Sequence, residues 1–140
     1  MVIAHRPVQV AAALAFFMLA SQARPSAAAE PSLDRYYSKT YNTCMDTAGG
    51  STMPMKDCIG DEYAAWDKSL NQTYQALMAT RSDATKIQLR DDERAWLRRT
   101  EIKCAAAGDD DAGGSLQTVD IDQCNLDERV KRTLYLRGLH

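Results

Sequence analysis

Apolar side chains recur at helical spacing along most of the chain, and strand-like alternation is not evident. The clearest example runs from residue 55 to about residue 80, where an apolar or aromatic side chain returns every three or four residues. This 3.6-residue period predicts an amphipathic α-helix with one buried face. Pro54 fits its first turn, and Thr52 is a candidate cap. The predicted buried face comprises Met55, Cys58, Ile59, Glu62, Tyr63, Trp66, Leu70, Tyr74, Leu77 and Met78.

Two further helices flank the loop at residues 108–114, which is rich in glycine and aspartate. Ser82 and Asp83 are typical of a helix start, and this helix should run to about Ala107. Ser115 should cap the last helix, which we expect to extend from Leu116 towards Leu139. The predicted stripes are Leu89, Glu93, Trp96 and Cys104 on the first of these helices, with Ile87 and Leu97 nearby, and Val119, Leu126, Val130 and Leu134 on the second.

The earliest helix should begin near Pro31, which suits a first helical turn. Tyr37, Tyr41 and Cys44 follow at i, i+4, i+7 spacing. Gly49 and its neighbouring glycine then break the helix. The chain is therefore predicted to be all-α, a small antiparallel bundle of about four helices.

The first 29 residues have the features of a cleavable export signal. Val8 to Ala20 form an apolar run of signal-peptide length, and Ala27 to Ala29 offer an A-x-A-type cleavage site, with cleavage after Ala23 as the alternative. The run is too short for a comfortable membrane span. We expect residues 1–29 to be a signal peptide. The remaining residues 30–140 should form one periplasmic or secreted domain, without stable membrane insertion of the mature chain.

Loss of that segment would make the chain more acidic. It removes Arg6 and Arg24 and no acidic residue, so 15 basic residues remain against 19 acidic ones, a net charge of −4. This balance argues against nucleic acid and anionic membrane surfaces as partners. It is compatible with a basic protein partner.

All 4 cysteines lie after the export signal. An even number in a small exported chain predicts disulfides rather than a metal or redox site. Cys44 ends the first predicted helix and Cys58 begins the second, and Cys104 and Cys124 bracket a later connection. We therefore favour the pairs Cys44–Cys58 and Cys104–Cys124, although the other two connectivities stay open. Each cross-link should constrain the unfolded chain by roughly 3 kcal/mol.

The mature chain has few groups suited to catalysis or metal binding. Its single histidine, His140, is the last residue, and the cysteines form no C-x-x-C element, so we expect no catalytic residue, no metal and no other cofactor. The remaining catalytic option is a desolvated carboxyl, Glu62 or Glu93, acting as a general acid. The structural alternative, which we favour, is that each accepts hydrogen bonds or pairs with an arginine such as Arg94 or Arg132.

Four sequence blocks form a joint pattern over nearly the whole mature chain. The longest runs from Met55 to Met78 and holds Cys58, Glu62, Trp66, Asp67, Leu70, Asn71, Tyr74 and Leu77. The others are Tyr41-x-x-Cys44-Met45, Glu93-Arg94-Ala95-Trp96-Leu97 followed by Cys104, and Gly113-Gly114-Ser115 followed by Cys124-x-Leu126, Arg132 and Leu136. This pattern resembles the lysozyme inhibitor LprI-type family of exported bacterial proteins.

The resemblance implies a helical, disulfide-linked envelope protein, with lysozyme inhibition attributed to some members. The chain departs from the family at Thr100-Glu101, where Arg-Asp is usual, and at Arg129, where threonine is common. One interpretation is a compensating move of positive charge between the third and fourth helices. We expect structural roles for the recurrent residues Glu62, Trp66, Asp67, Leu70, Asn71, Tyr74, Arg94, Trp96 and Arg132, because helical spacing favours packing.

An inhibitor of lysozyme would need a surface for a generally basic protein. Asp109, Asp110 and Asp111 are the most concentrated acidic feature and are the candidate contact for a basic lysozyme or other wall hydrolase. The alternative, which the sequence favours, is a solvated turn. Two other functions stay open: an immunity or interaction protein for another envelope partner, and a wall-acting enzyme using Glu62 and Glu93.

Overall fold

The computed structural model describes residues 32–139, which form a bundle of four α-helices. A 3₁₀ helix, Asp34–Tyr36, precedes them. Within the described residues no strand occurs, so the predicted all-α class is confirmed. The signal-peptide prediction and His140 lie outside these residues. The helices are α1 (Lys39–Ala48), α2 (Thr52–Thr80), α3 (Asp83–Ala106) and α4 (Gln117–Arg137).

Helix α4 is the central element of the bundle. It packs most extensively along α2 and also against α3, while α1 packs on the first half of α2. The Cys44–Cys58 disulfide joins α1 to α2, and the Cys104–Cys124 disulfide joins the end of α3 to α4. Both favoured pairings are confirmed. Each bond links helices that a short connection makes neighbours in space.

Two apolar clusters form the core, and they lie at opposite ends of the bundle. Helices α2 and α4 supply most of both, as burial of one stripe per helix requires. Ile87 and Leu97 of α3 stay exposed. The buried members are Tyr41, Ala48, Cys58, Ile59, Val119, Leu126 and Val130 in one cluster, and Leu70, Leu77, Leu89, Trp96 and Leu136 in the other.

The first helix is shorter than the sequence predicts. Tyr37 is extended, with φ −73° and ψ 147°, and separates the 3₁₀ helix from α1. Ser38 causes the break, because its hydroxyl accepts a hydrogen bond from the Tyr41 N–H (3.0 Å) and so begins a new helix. Gly49 ends α1 in the left-handed conformation, at φ 55°, which glycine adopts without steric cost.

The starts of α2 and α4 also differ from the predictions. Thr52 is the first residue of α2 rather than its cap, and its hydroxyl donates to the Ser115 carbonyl (3.4 Å). Ser115 does not cap α4, because it lies in the loop against α2; Leu116 occupies the cap position without a side-chain hydrogen bond. The predicted cap of α3 is confirmed, since Ser82 accepts from a backbone N–H one turn on.

Candidate interaction surface

The connection between α3 and α4, residues 107–116, is fastened near both ends. At its start, the Cys104–Cys124 disulfide ties the last turn of α3 to α4. At its end, the hydrogen bond from Thr52 to the Ser115 carbonyl ties it to the first turn of α2. A loop fixed to three helices presents its side chains in a defined position, which lowers the entropy cost of binding.

Gly108 lets this loop lie directly on α4. A Cβ at this position would stand 2.8 Å from both the side chain and the carbonyl oxygen of Gln117, so only glycine permits the approach. The Gln117 side-chain oxygen accepts a hydrogen bond from the Gly113 N–H (3.1 Å). Gly113 itself has φ 77°, a left-handed conformation that closes the turn.

The loop presents an acidic cluster, which we define as Asp109, Asp110, Asp111 and Asp120. The first three are exposed, and within residues 32–139 no lysine or arginine forms an ion pair with any of the four. A hydrogen bond with Asp111, with smaller contributions from desolvation and the charges of Asp111 and Asp110, raises the pKa of Asp120 above its ordinary value. The cluster therefore has negative charge that no side chain of the described chain neutralises.

Glu62 lies at the interface of α1 and α2 and is buried. Its two carboxylate oxygens accept hydrogen bonds from the Ser38 N–H (2.9 Å) and the Ser38 hydroxyl (2.6 Å). One of them also accepts from the Trp66 indole N–H (3.0 Å). The carboxylate is thus engaged by three donors that fix the start of α1 on α2, an arrangement suited to a structural role.

Glu93 has a different kind of partner, the buried Arg132 of α4. The Arg132 Nε and one terminal nitrogen donate to the same Glu93 oxygen, at 2.9 and 2.7 Å. That terminal nitrogen also lies 2.8 Å from Asp92. The guanidinium stacks over the rings of Trp96 and Tyr135, at 5.5 and 5.0 Å from their centroids. Charge-assisted bonds and ring contacts join α3 to α4 here.

Arg129 supplies a second cation over the Trp96 ring, at 5.0 Å from the centroid. Its Nε donates to the Tyr63 hydroxyl (2.8 Å) and lies 3.4 Å from an Asp67 oxygen, so it links α4 to α2. Thr100, one turn beyond Trp96, is buried, and its hydroxyl has no hydrogen-bond partner. Of the positions that depart from the pattern the sequence resembles, Arg129 thus places a cation on α4 and Thr100 a neutral residue on α3.

The other recurrent residues occupy the bundle's packing or its surface. Leu70 is buried in the core, and Tyr74 packs partly against it. The Asn71 amide donates to the Asp67 carbonyl and carboxylate within its own helix, at 2.9 and 3.0 Å. Arg94 is exposed and pairs with Asp91, at 3.6 Å. Within residues 32–139 it forms no ion pair with Glu62 or Glu93.

Gln123 and Asp127, which the sequence did not single out, bind two tyrosines at the end of the bundle near α1. The Tyr37 hydroxyl donates to Asp127, and the Tyr41 hydroxyl donates to the Gln123 side chain (2.6 Å). Gln123 in turn donates to Asp127 (2.8 Å). Burial and the nearby Asp127 carboxylate raise the pKa of Tyr37. Only the spacing of the two tyrosines could have been noticed beforehand.

Comparison with known proteins agrees with this architecture. A family model described as lysozyme inhibitor LprI matches residues 44–136. The chain belongs to this family. An uncharacterized protein of Rhizobium meliloti (strain 1021) is 29% identical over 102 residues, which cover 64% of this chain and 73% of that protein. No solved structure matches.

The LprI match spans the features described above. It begins at the first disulfide cysteine and ends in the last turn of α4, so it contains both disulfides, Glu62, Glu93 and the acidic cluster. Family membership thus associates the chain with inhibitors of lysozyme. No helix within residues 32–139 combines the length and the hydropathy that spanning a bilayer requires.

Proposed function

We propose that this protein is an exported binding protein that inhibits lysozyme-type cell-wall hydrolases. The observation that carries the proposal is the LprI match over residues 44–136. The two disulfides support an oxidising location outside the cytoplasm, because thiols stay reduced inside it. The protein would act by covering the enzyme rather than by chemistry of its own.

The acidic cluster is the proposed contact surface for the hydrolase. Lysozymes are generally basic, and an exposed group of unpaired carboxylates attracts a basic surface over about one Debye length, ~8 Å at physiological salt. The disulfide and the Thr52 hydrogen bond fix the loop to the bundle, which favours binding without reordering. We therefore assign the cluster to fast, salt-sensitive recognition of the enzyme.

The surroundings of Glu62 and Glu93 favour a binding function over the enzymatic alternative. A general acid needs a proton to give and access to the substrate. Glu62 is buried against three donors, and Glu93 is held by Arg132. Both carboxylates therefore bind groups of the protein itself, whereas the catalytic carboxyls of a glycosidase must be free to reach the sugar.

A turbidity assay tests the function directly. The oxidised protein recovered from the periplasm of an expressing cell should slow the clearing of bacterial walls by a basic lysozyme, in proportion to its concentration. Absence of inhibition across the known lysozyme classes would contradict the proposed function. Clearing by the purified protein alone would favour the enzyme, and retention of a different periplasmic protein in a pull-down would favour the immunity or interaction role.

A pair of triple variants tests the contact surface separately. Neutralising Asp109, Asp110 and Asp111 to asparagine should slow association with lysozyme by about tenfold at low salt. The matched control neutralises Asp46, Asp57 and Asp61, which are also exposed and change the net charge equally. Equal effects of the two triple variants would show that overall charge, rather than this loop, governs recognition, while inhibition itself would remain established.

A further inference from the structure

A cavity of about 320 Å³ opens between α2 and α4, and we refer to it as the α2–α4 cavity. Its lining residues are Lys56, Ile59, Gly60 and Tyr63 on α2 and Asp122 and Asn125 on α4. The α2 residues fall at i, i+3, i+4 and i+7, so one side of that helix faces the space. The volume lies at the lower end of the range for small-molecule sites, about 300 to 1,000 Å³.

Gly60 is the part of this lining that packing does not explain. It is the one glycine inside a helix of residues 32–139, and glycine destabilises a helix interior relative to alanine. A Cβ on Gly60 would meet no atom within 4 Å apart from its own turn of helix, and its φ is not positive. The glycine instead leaves the α2 side of the cavity without a side chain, as the close approach of a ligand to the backbone requires.

The polar groups of the α2–α4 cavity keep free hydrogen-bonding capacity. One Asp122 oxygen binds the Lys56 ammonium, and the other has no partner within the described chain. The Tyr63 hydroxyl accepts from Arg129 (2.8 Å), so its own proton is available to donate. The Asn125 amide nitrogen donates within its own helix (2.8 Å), and its amide oxygen accepts nothing from residues 32–139. Free donors and free acceptors therefore line the same space.

The charges of the lining select the class of ligand. Lys56 and Asp122 contact each other, so the cavity is neutral as a whole and favours neither a lone anion nor a lone cation. An apolar ligand would leave the free polar groups without bonds, which is costly. Hydroxyl groups both donate and accept, and they can bond to an ion pair without separating it. We propose that the α2–α4 cavity binds one neutral sugar ring, whose hydroxyls bond to Asp122, Asn125 and Tyr63.

The openness of the site sets the strength of binding. The side chains of Lys56 and Asp122 are 29% and 39% exposed, so a bound ring stays partly in solvent. We expect a dissociation constant on the order of 1 mM for a single ring. The cavity shares no residue with the acidic cluster. Sugar binding is therefore additional to the proposed inhibition of lysozyme, and each can fail without the other.

Amide NMR titration of the oxidised protein tests the site. The main probe is N-acetylglucosamine, a sugar of bacterial cell-wall glycan, and the second is glucose. At least one of them should shift the Gly60 and Asn125 resonances saturably, with those of Asp109 and Asp110 unchanged. Glycine and inorganic phosphate represent zwitterionic and anionic ligands and should bind at least about tenfold more weakly. Lack of a saturable shift with both sugars, or equal or tighter binding of glycine or phosphate, overturns the proposal.

Variants of Gly60 separate a binding role from a structural one. Gly60→Ala should raise the midpoint of thermal unfolding by about 4 °C, because alanine favours a helix. Gly60→Ala and Gly60→Gln should weaken sugar binding by about threefold and tenfold, because their side chains fill the cavity. Ala79→Gln, at an exposed position near the end of α2, is the control and should leave binding unchanged.

A variant on the α4 side tests the polar contacts. Asp122→Ala should weaken sugar binding about fivefold or more, since it removes a free acceptor. Asp57→Ala, at an exposed position of α2 outside the cavity, should not. The proposal is overturned if Gly60→Gln binds the sugar as tightly as the unmodified protein does. It is also overturned if Gly60→Ala lowers the unfolding midpoint, because the glycine would then serve the fold.

Discussion

The Ser38 hydroxyl both donates to the buried Glu62 carboxylate (2.6 Å) and accepts from the Tyr41 N–H (3.0 Å). One side chain thus caps α1 and attaches that cap to α2. The Ser38 N–H makes a second bond to the same carboxylate (2.9 Å), so the start of α1 depends on a residue 24 positions away. Glu62 therefore lies within the apolar stripe of α2 because its carboxylate binds the N-terminus of α1.

Replacing Glu62 by glutamine should destabilise the protein by about 1–2 kcal/mol, because the neutral amide loses charge-assisted bonds and offers one oxygen instead of two. Urea unfolding of the oxidised protein measures the change. Glu101→Gln, on the exposed face of α3, is the control and should have an effect within ~0.5 kcal/mol. Unchanged stability together with lost activity on lysozyme would instead assign Glu62 to the function.

Replacing Arg132 by methionine should cost about 2 kcal/mol, because it removes the cation shared by Glu93 and Asp92, whose side chains are only partly buried (18% and 40% exposed). Adding Glu93→Met should recover part of the loss, since the pair is then removed as a whole. A double-mutant cycle on unfolding free energies measures the coupling. Arg94→Met removes an exposed arginine and should be nearly neutral; additive effects at Arg132 and Glu93 would contradict the pairing.

Thr100 and Thr133 offer matched tests of a buried hydroxyl. Thr100→Val should stabilise the protein by about 1 kcal/mol, because its buried hydroxyl has no hydrogen-bond partner. Thr133→Val should destabilise by about 1 kcal/mol, since that hydroxyl donates to the Arg129 carbonyl (2.8 Å). Thermal or urea unfolding compares them. A stabilising effect at both positions would reflect valine itself and not the missing bond.

Asp120 should titrate above an ordinary aspartate because of its hydrogen bond with Asp111. A carboxyl with a raised pKa in the folded state binds protons more tightly than in the unfolded chain, so its contribution favours folding at low pH and is lost as the pH rises through that pKa. Asp111→Asn should lower the pKa of Asp120 and reduce this loss. Carboxyl-carbon NMR titration measures it, and Asp83→Asn, at the start of α3, should leave the pKa of Asp120 unchanged.

The sequence by itself determined the all-α class and the family, and it favoured the disulfide pairing that the structure has. Cys58 and Leu77 both lie on the buried side of α2, because apolar residues that recur with the 3.6-residue period of a helix lie on one side of it. Short connections then bring Cys104 near Cys124. These features depend on residues that are close together in the sequence, so they can be predicted without knowing how the helices pack.

Only the tertiary structure decided how polar side chains meet between helices. The contacts of Ser38 with Glu62 and of Arg132 with Glu93 depend on the rotation and axial shift of one helix against another. The interaction of Asp111 with Asp120 depends on how the loop lies on α4. The same shift leaves the Thr100 hydroxyl without a bond. A change of one turn would exchange every such partner while leaving the apolar pattern intact, which is why sequence spacing alone could not assign them.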